Sequence, residues 1–313
     1  MENHKRTVLV TGANGFVGRH LSPMLAREGW TVRRAVRHPS GAENEIVIES
    51  IGPKTNWNDA LEGVDAVVHL AARVHQRHDR GAEKLYRDVN TDGTLHLAQR
   101  AIEARVRQFV FVSTVLVHGR SNDGRTPFSE GDILTPQGLY GTSKAEAERG
   151  LEALARQSAL GVTIVRPPLV YGSGAKGNFA ALTKAVKVGM PLPLAAVRNQ
   201  RAFVSVENLI SFVAYRLANP GTDFDVFLVA DAEQVSTPEF IRRLATAAGT
   251  TARLFPVSAR LLSALLTASG RPDARDSLIG SLELNLSKVL STGWRQQLSL
   301  DEGLRLALSG KDD

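Results

Sequence analysis

The sequence predicts an α/β protein built on a doubly wound parallel sheet, with a smaller α/β region toward the C-terminus. Three observations predict it. An apolar run, Thr7-Val8-Leu9-Val10, leads directly into the glycine-punctuated stretch Thr11-Gly12-Ala13-Asn14-Gly15-Phe16-Val17-Gly18. Strand-like and helix-like segments then alternate along the chain. The residues with chemical capacity fall just after the strand-like runs, where ligands bind in open parallel sheets.

Taken in order, Thr7 to Val10 reads as a buried strand, and Phe16, Val17, His20, Leu21 and Leu25 recur at helical spacing after it. Gly29 closes that helix as a C-cap, and Thr31 to Val36 alternates as a second strand. The turn of this βαβ unit needs glycine for three reasons. The chain bends tightly, the backbone must approach a pyrophosphate, and the helix N-terminus presents amide donors and partial positive charge to that anion. The glycines stand at 12, 15 and 18, a G-x-x-G-x-x-G spacing distinct from G-x-G-x-x-G. Further strands are expected at Ile46 to Ile48, Ala66 to Leu70, Phe109 to Val112 and Val162 to Val165, with a long helix over Glu83 to Ala104. Downstream, Leu261 to Leu266 forms a compact apolar helix face, and Gly293-Trp294 is expected to pack against a C-terminal helix around Leu300 to Leu308. The expected division is a dinucleotide domain over 1–166, with a return segment near 203–229, and a second domain over 167–313.

Length and composition bound the function. With 313 residues and 43% apolar content the chain can bury a full core. Near the N-terminus, Glu2, Lys5 and Arg6 precede an apolar run of only Val8-Leu9-Val10, too short for a signal peptide, and no stretch approaches the ~18 apolar residues of a membrane helix. The expectation is a cytoplasmic protein with no membrane partner. The absence of cysteine excludes thiol catalysis and cysteine-ligated metal, so redox chemistry here requires a bound organic cofactor. A net charge of +6 and a pI near 9.8 come from dispersed Lys and Arg without interleaved aromatics, which points away from nucleic acid. His69 ends a strand, while His75 and His78 sit in a polar loop with Arg73, Arg77 and Arg80; no metal-ligand set emerges.

The chemistry centres on Tyr140 and Lys144. A Tyr hydroxyl of unperturbed pKa ~10 is a poor base at neutral pH and needs its phenolate stabilised. Residues i and i+4 share a helix face, and a unit charge about 4 Å away is worth ~4 kcal/mol at an effective dielectric of 20. The spacing therefore predicts that Lys144 lowers the Tyr140 pKa. Thr114, at the end of a strand, can hydrogen-bond the same substrate oxygen.

These residues fall within a set of motifs: Thr11-Gly12-x-x-Gly15-x-x-Gly18, His69-Leu70-Ala71-Ala72, Asn90-x-x-Gly93-Thr94, Ser113-Thr114, Tyr140-x-x-x-Lys144 and Arg166-Pro167-Pro168-x-Val170-Tyr171-Gly172. Together they resemble the extended short-chain dehydrogenase/reductases, in the nucleotide-sugar epimerase, dehydratase and ketoreductase branch, over nearly the whole chain. The resemblance implies a Rossmann-type dinucleotide domain, a C-terminal nucleotide-sugar domain and a homodimer formed through the Tyr-bearing helix and its neighbour. It implies that Thr114, Tyr140 and Lys144 are catalytic. It further implies a cofactor held by Gly12, Asn14, Gly15, Phe16, Val17, Gly18, Arg37, Ser50, Ile51, Leu70, Ala71, Ala72, Ser113, Tyr140, Lys144 and Pro167. Substrate contacts are expected from Thr114, from Asn178 in the loop Lys176-Gly177-Asn178-Phe179, and from Arg201, whose guanidinium suits a diphosphate. Arg271 is a looser second phosphate contact, and Asn90 is expected to tie a helix to a neighbouring strand.

Departures from the family pattern refine the expectation. Where NAD-using relatives carry an Asp at the end of the second strand, this chain has Val36 followed by Arg37 and His38, and Ser50 replaces another common Asp, so the cofactor is NAD or NADP with a lean to NADP. Leu169 stands where galactose-type epimerases carry Asn, and Val115-Leu116 lacks the acidic pair of the dehydratases. The expected activity is hydride movement at C4 of a UDP- or dTDP-sugar, as a 4-ketoreductase of a 4-keto-6-deoxy sugar or a 4-epimerase. The alternatives are a strict UDP-glucose-type 4-epimerase with tightly bound NAD and a non-enzymatic sensor or scaffold.

Overall fold

A computed structural model describes residues 6–74, 81–221, 223–268 and 272–309. The strands are β1 (Thr7–Thr11), β2 (Thr31–Val36), β3 (Glu45–Val47), β4 (Ala66–His69), β5 (Gln108–Val112), β6 (Gly161–Arg166), β7 (Leu169–Tyr171), β8 (Phe203–Ser205) and β9 (Phe224–Leu228). The helices of the first half are α1 (Phe16–Arg27), α2 (Asn58–Leu61), α3 (Ala82–Tyr86), α4 (Gly93–Glu103) and α5 (Gly138–Arg156). Those that follow are α6 (Asn178–Lys187), α7 (Val206–Ala218), α8 (Thr237–Ala247), α9 (Ala259–Ala268), α10 (Pro272–Leu278), α11 (Ser287–Ser291) and α12 (Leu300–Ser309).

Seven strands form one sheet in the order β3-β2-β1-β4-β5-β6-β9, with parallel pairing from β3 through to β6. The central strands are continuous apolar runs because both sheet faces are covered: Val8, Leu9, Val67, Phe109, Phe111 and Ile164 are all fully buried. From β1 the chain steps outward to β2 and β3 and then returns to place β4 on the other side of β1. That reversal makes the β1/β4 junction the switch point at which such sheets bind ligands.

The chain forms two compact units that are interleaved in sequence. The first comprises 1–117, 134–166 and 210–227; the second comprises 118–133, 167–209 and 228–313, so the division falls within α7. In the first unit α2, α4 and α5 contribute Leu61, Leu97 and Leu151 to a core with Leu9, Phe109 and Ile164. In the second, β7 and β8 pair in a separate parallel two-stranded sheet. Its core is aromatic: Phe203 stacks on Phe240 with ring centroids 4.0 Å apart, and Tyr171 meets Phe240 edge-on.

Several sequence expectations change in detail. The long helix expected over 83–104 is interrupted by a π-helical turn over 87–92 between α3 and α4. The wider turn accompanies side-chain bonds that a regular helix would aim elsewhere. Asn90 Nδ2 donates to Ser143 Oγ (3.0 Å) and to Arg73 O (3.1 Å), and Thr91 Oγ1 donates to Ser143 O (2.9 Å). Asn90 therefore ties its helix to α5 and to the segment after β4. Of the return segment, only β9 enters the large sheet, beside β6, while β8 pairs with β7. The third strand is shifted by one residue to Glu45–Val47 and sits at the sheet edge. Leu261 to Leu266 lies within α9 as an apolar helical stretch, in which Leu262 is buried and Leu261 and Leu265 are exposed. Trp294 is buried as expected. Glu2, Lys5, His75, Arg77, His78, Arg80 and Arg271 lie outside the described residues.

A buried carboxylate organises the second unit. Asp231 accepts from Tyr171 Oη (2.7 Å), Asn208 Nδ2 (2.7 Å) and Ser205 N (3.2 Å). Replacing it strands these donors without water. Asp231→Ala is expected to cost roughly 3 kcal/mol and Tyr171→Phe about 1 kcal/mol, measured as shifts in urea unfolding midpoint.

Candidate active site

The glycine turn lies at the switch point. Gly12 has a φ of 69°, and a Cβ there would stand 2.9 Å from Ala71 N, so the turn after β1 lies directly against the segment after β4. A Cβ on Gly18 would come within 2.3 Å of Gly12 O, which lets α1 begin against its own turn. Gly15 N donates to Gly12 O (2.9 Å), and α1 opens at Phe16 with no side-chain cap and no acidic residue in its first turn. Its leading N–H groups, together with the helix dipole, suit an anion. The residues present therefore fit the diphosphate of a dinucleotide. Asn14 Nδ2 reaches His38 O (3.4 Å), linking this turn to the end of β2, where Val36 is buried and Arg37 is exposed. Ser50 is exposed and Ile51 half-buried, with Ile51 Cγ2 against Gly93 at the start of α4. Leu70, Ala71 and Ala72 follow β4, and Pro167 follows β6.

His69 closes the switch point from inside the sheet. It is fully buried between Thr11 Oγ1 (2.7 Å) and Thr94 Oγ1 (2.9 Å), and burial pushes its pKa down to about 3, with Lys144 acting in the same direction. A neutral imidazole thus joins β1, β4 and α4.

Thr114 and Ser113 follow β5, and Tyr140 and Lys144 lie on the first turns of α5. The helix approaches closely because residue 141 is glycine: a Cβ there would meet Leu116 O at 3.0 Å. Thr114 Oγ1 accepts from Leu116 N (3.2 Å). Lys144 is almost fully buried; its ammonium donates to Val112 O (2.8 Å) and lies 4.1 Å over the Phe111 ring. Burial lowers its pKa to about 7, against the pull of Glu148.

The expected lowering of the Tyr140 pKa is reversed. Burial, and after it the neighbouring Tyr86, push the hydroxyl above its ordinary value. Desolvation is the largest influence on both groups, raising Tyr140 and lowering Lys144. The chain's own residues hold Tyr140 as a neutral hydroxyl and weaken Lys144 as a cation.

Beneath this pair lies an ionic network that the sequence reading missed. Glu148 accepts from Ser113 Oγ, from Arg166 Nη2 (2.6 Å) and from Arg166 Nε at 3.1 and 3.2 Å to its two oxygens. The side chains of Arg166 and Glu148 are only 5% and 3% exposed, so this is a desolvated, bidentate pair. The available signal was spacing: Tyr140, Lys144 and Glu148 recur every four residues on one helix face.

The two residues proposed for substrate lie in the second unit. Asn178 is the exposed first residue of α6. Arg201 lies outside β8, bridging Val235 on one side and Leu282 on the other. Its Nη1 donates to the carbonyls of Asp276 (2.8 Å) and Gly280 (2.6 Å), and burial lowers its pKa to about 10 despite Asp123 and Asp276. Backbone carbonyls, then, and neither a strand position nor a surface salt bridge, set its orientation. Among the described residues no group of three or more His, Asp or Glu side chains could hold a metal, and no helix is long and apolar enough to cross a membrane.

A doubly wound parallel sheet with a glycine turn at its switch point and a Tyr/Lys helix beside it defines a dinucleotide-fold enzyme of the dehydrogenase/reductase class. The model of the NAD dependent epimerase/dehydratase family matches residues 8–230. A UDP-glucose 4-epimerase from Vibrio cholerae is 38% identical over 307 residues, covering 96% of this chain and 94% of that protein. An N-acetyl-alpha-D-glucosaminyl-diphospho-ditrans,octacis-undecaprenol 4-epimerase from Escherichia coli O157:H7 is 28% identical, covering 75% of this chain and 70% of that one. Among solved structures, MoeE5 in complex with UDP-glucuronic acid and NAD aligns with a TM-score of 0.78 at 26% identity, covering 96% of this chain and 97% of that one. The chain belongs to the NAD dependent epimerase/dehydratase family, and is an enzyme that uses a nicotinamide cofactor.

Two outcomes follow from the buried charges. Removing the Glu148 carboxylate withdraws the one influence that raises the Lys144 pKa, so Glu148→Gln is expected to move the Lys144 titration, followed by NMR of labelled lysine, to lower pH. Lys144 has a folded pKa of about 7, below the ordinary lysine value of 10.5, so its burial carries no charge penalty where the amine is neutral in both states. The cost grows as pH falls from the unfolded value through the folded one. Chemical denaturation at several pH values should therefore find Lys144→Met gaining stability relative to wild type as pH is lowered across that window.

Proposed function

We propose that this chain is a nucleotide-sugar 4-epimerase that moves a hydride at C4 of a UDP- or dTDP-sugar. The observation that carries the reading is the placement of Tyr140 and Lys144 on the first turns of α5, closely packed against the segment that follows Thr114. The Vibrio cholerae relative, a UDP-glucose 4-epimerase over nearly the same length, supports the substrate class. When bound, the nicotinamide supplies the hydride acceptor and donor at C4, and its oxidised form adds positive charge near the site.

In this reading Tyr140 removes the proton from the C4 hydroxyl as the sugar is oxidised and returns it when the ketone is reduced. Thr114 holds that oxygen, and Lys144 in its charged form stabilises the phenolate and reaches the cofactor ribose. Gly12, Gly15 and Gly18 with the first amides of α1 hold the cofactor diphosphate, together with Asn14, Phe16 and Val17. Leu70, Ala71, Ala72, Ser113 and Pro167 line its path, and Arg37, Ser50 and Ile51 serve the adenosine end. Arg201 and Asn178 serve the nucleotide sugar. A homodimer would use α4 and α5.

A second reading, a 4-ketoreductase using NADPH, is favoured by one observation. Val36 ends β2 and Arg37 follows it, with no carboxylate at that place.

The nucleotide released on denaturing the purified protein separates the two. Stoichiometric NAD, with interconversion of UDP-glucose and UDP-galactose, supports the epimerase. No retained nucleotide, with NADPH oxidation dependent on a 4-keto sugar, supports the reductase. In either case Tyr140→Phe is expected to lower kcat by about 10²- to 10⁴-fold, and an unchanged rate would overturn the assigned proton transfer.

A further inference from the structure

Two segments of the second unit pair with each other, and both carry uncovered apolar side chains and cations. The sequence has no Asp or Glu between Ala153 and Val206, and none between Phe240 and Pro272. These two stretches pair in space. Leu192 and Leu254 form a parallel bridge, with Leu192 N donating to Arg253 O (2.8 Å) and Phe255 N to Leu192 O (3.0 Å). Beside the bridge, the Arg253 guanidinium lies 3.7 Å from the position of a Cβ on Gly189, between Val188 and Met190. Val188, Met190 and Phe255 are exposed.

The same stretch continues into α9, opened by Ser258, whose Oγ accepts from Leu261 N (3.3 Å). Leu262 turns into the core, while Leu261 and Leu265, one turn apart on α9, are 55% and 56% exposed. Arg260 is the helix's only charge. Leucines exposed on the outer side of a helix that also buries Leu262 suit an apolar phase. Lys184, one turn before Val188, and Arg260, next to Leu261, place exposed cations beside the exposed apolar side chains.

We infer that this face docks on an anionic lipid surface, the leucines and Phe255 entering the boundary between headgroups and acyl chains and the cations meeting lipid phosphates. Charge complementarity selects this occupant. A second copy of the face would oppose cation to cation with no carboxylate from either stretch, and a nucleic acid would leave the leucines uncovered. The expectation of no membrane partner came from the lack of a long apolar span, which does not bear on a surface assembled from two separated segments. The inference does not rest on the reaction proposed above.

The test is flotation of the full-length protein with phosphatidylcholine vesicles with and without roughly 30% phosphatidylglycerol, at low and high salt. Wild type is expected to partition at least about tenfold more strongly to the anionic vesicles and to lose that preference in high salt. L261D/L265D should lower binding by about tenfold or more, and each of Lys184→Ala and Arg253→Ala by about fivefold. The double variant's Tm serves as the folding control, and if it falls the two single charge variants decide. Failure of wild type to float, or equal flotation of wild type and all variants, overturns the inference. So does a wild-type dimer that L261D/L265D converts to monomer without any vesicle binding, which assigns the face to a second copy of the chain.

Discussion

The Glu148 carboxylate is the constraint on which the first unit's chemistry depends. It is buried at the junction of three elements, accepting from Ser113 after β5 and from Arg166 at the end of β6 while standing one turn beyond Lys144 on α5. A desolvated charge of this kind is tolerable only when its partners are fixed, so the ends of β5 and β6 and the register of α5 are set together. Gly141 then permits the helix start to approach Leu116, which brings Tyr140 to its position. The catalytic candidates sit on the outer edge of a structure whose inner edge is ionic and closed to water.

Burial has opposite consequences for the two groups on that edge. It makes Tyr140 a weaker acid and Lys144 a weaker base, so each tends toward its neutral form. Neutral groups cost little to enclose, and they leave the site's charge to be set by what binds there. The same logic explains His69, which stays neutral between two threonine hydroxyls and fastens β1, β4 and α4.

Much of the architecture was legible because the central strands are unbroken apolar runs and the glycines at 12, 15 and 18 mark the first βα turn. The family resemblance rested on short motifs, most of which fall where strands of the sheet end, while Asn90-x-x-Gly93-Thr94 and Tyr140-x-x-x-Lys144 lie on helices. What the sequence could not reveal depends on three-dimensional context. Periodicity could not register the π turn over 87–92, since the apolar pattern on either side stays helical. The role of Glu148 depends on Ser113 and Arg166, which the ends of β5 and β6 bring to it from distant places in the sequence. Spacing suggested an attraction between Lys144 and Tyr140 but could not carry the desolvation that raises the Tyr140 pKa. The setting of Arg201 was not legible because the carbonyls of Asp276 and Gly280 that fix it are 75 and 79 residues distant in sequence.

The interleaving of the two units bears on synthesis. The first unit requires residues 210–227, including most of β9, yet much of the second unit is translated before them. A nascent chain that has completed β6 must emit ~60 more residues before the large sheet gains its last strand, a wait on the order of several seconds at ribosomal elongation rates. During that interval the edge of β6 is an open template for pairing. Maturation of this enzyme on the ribosome is therefore a race between delivery of β9 and capture of that edge by another chain, a window that chaperones or slower translation past β9 would modulate.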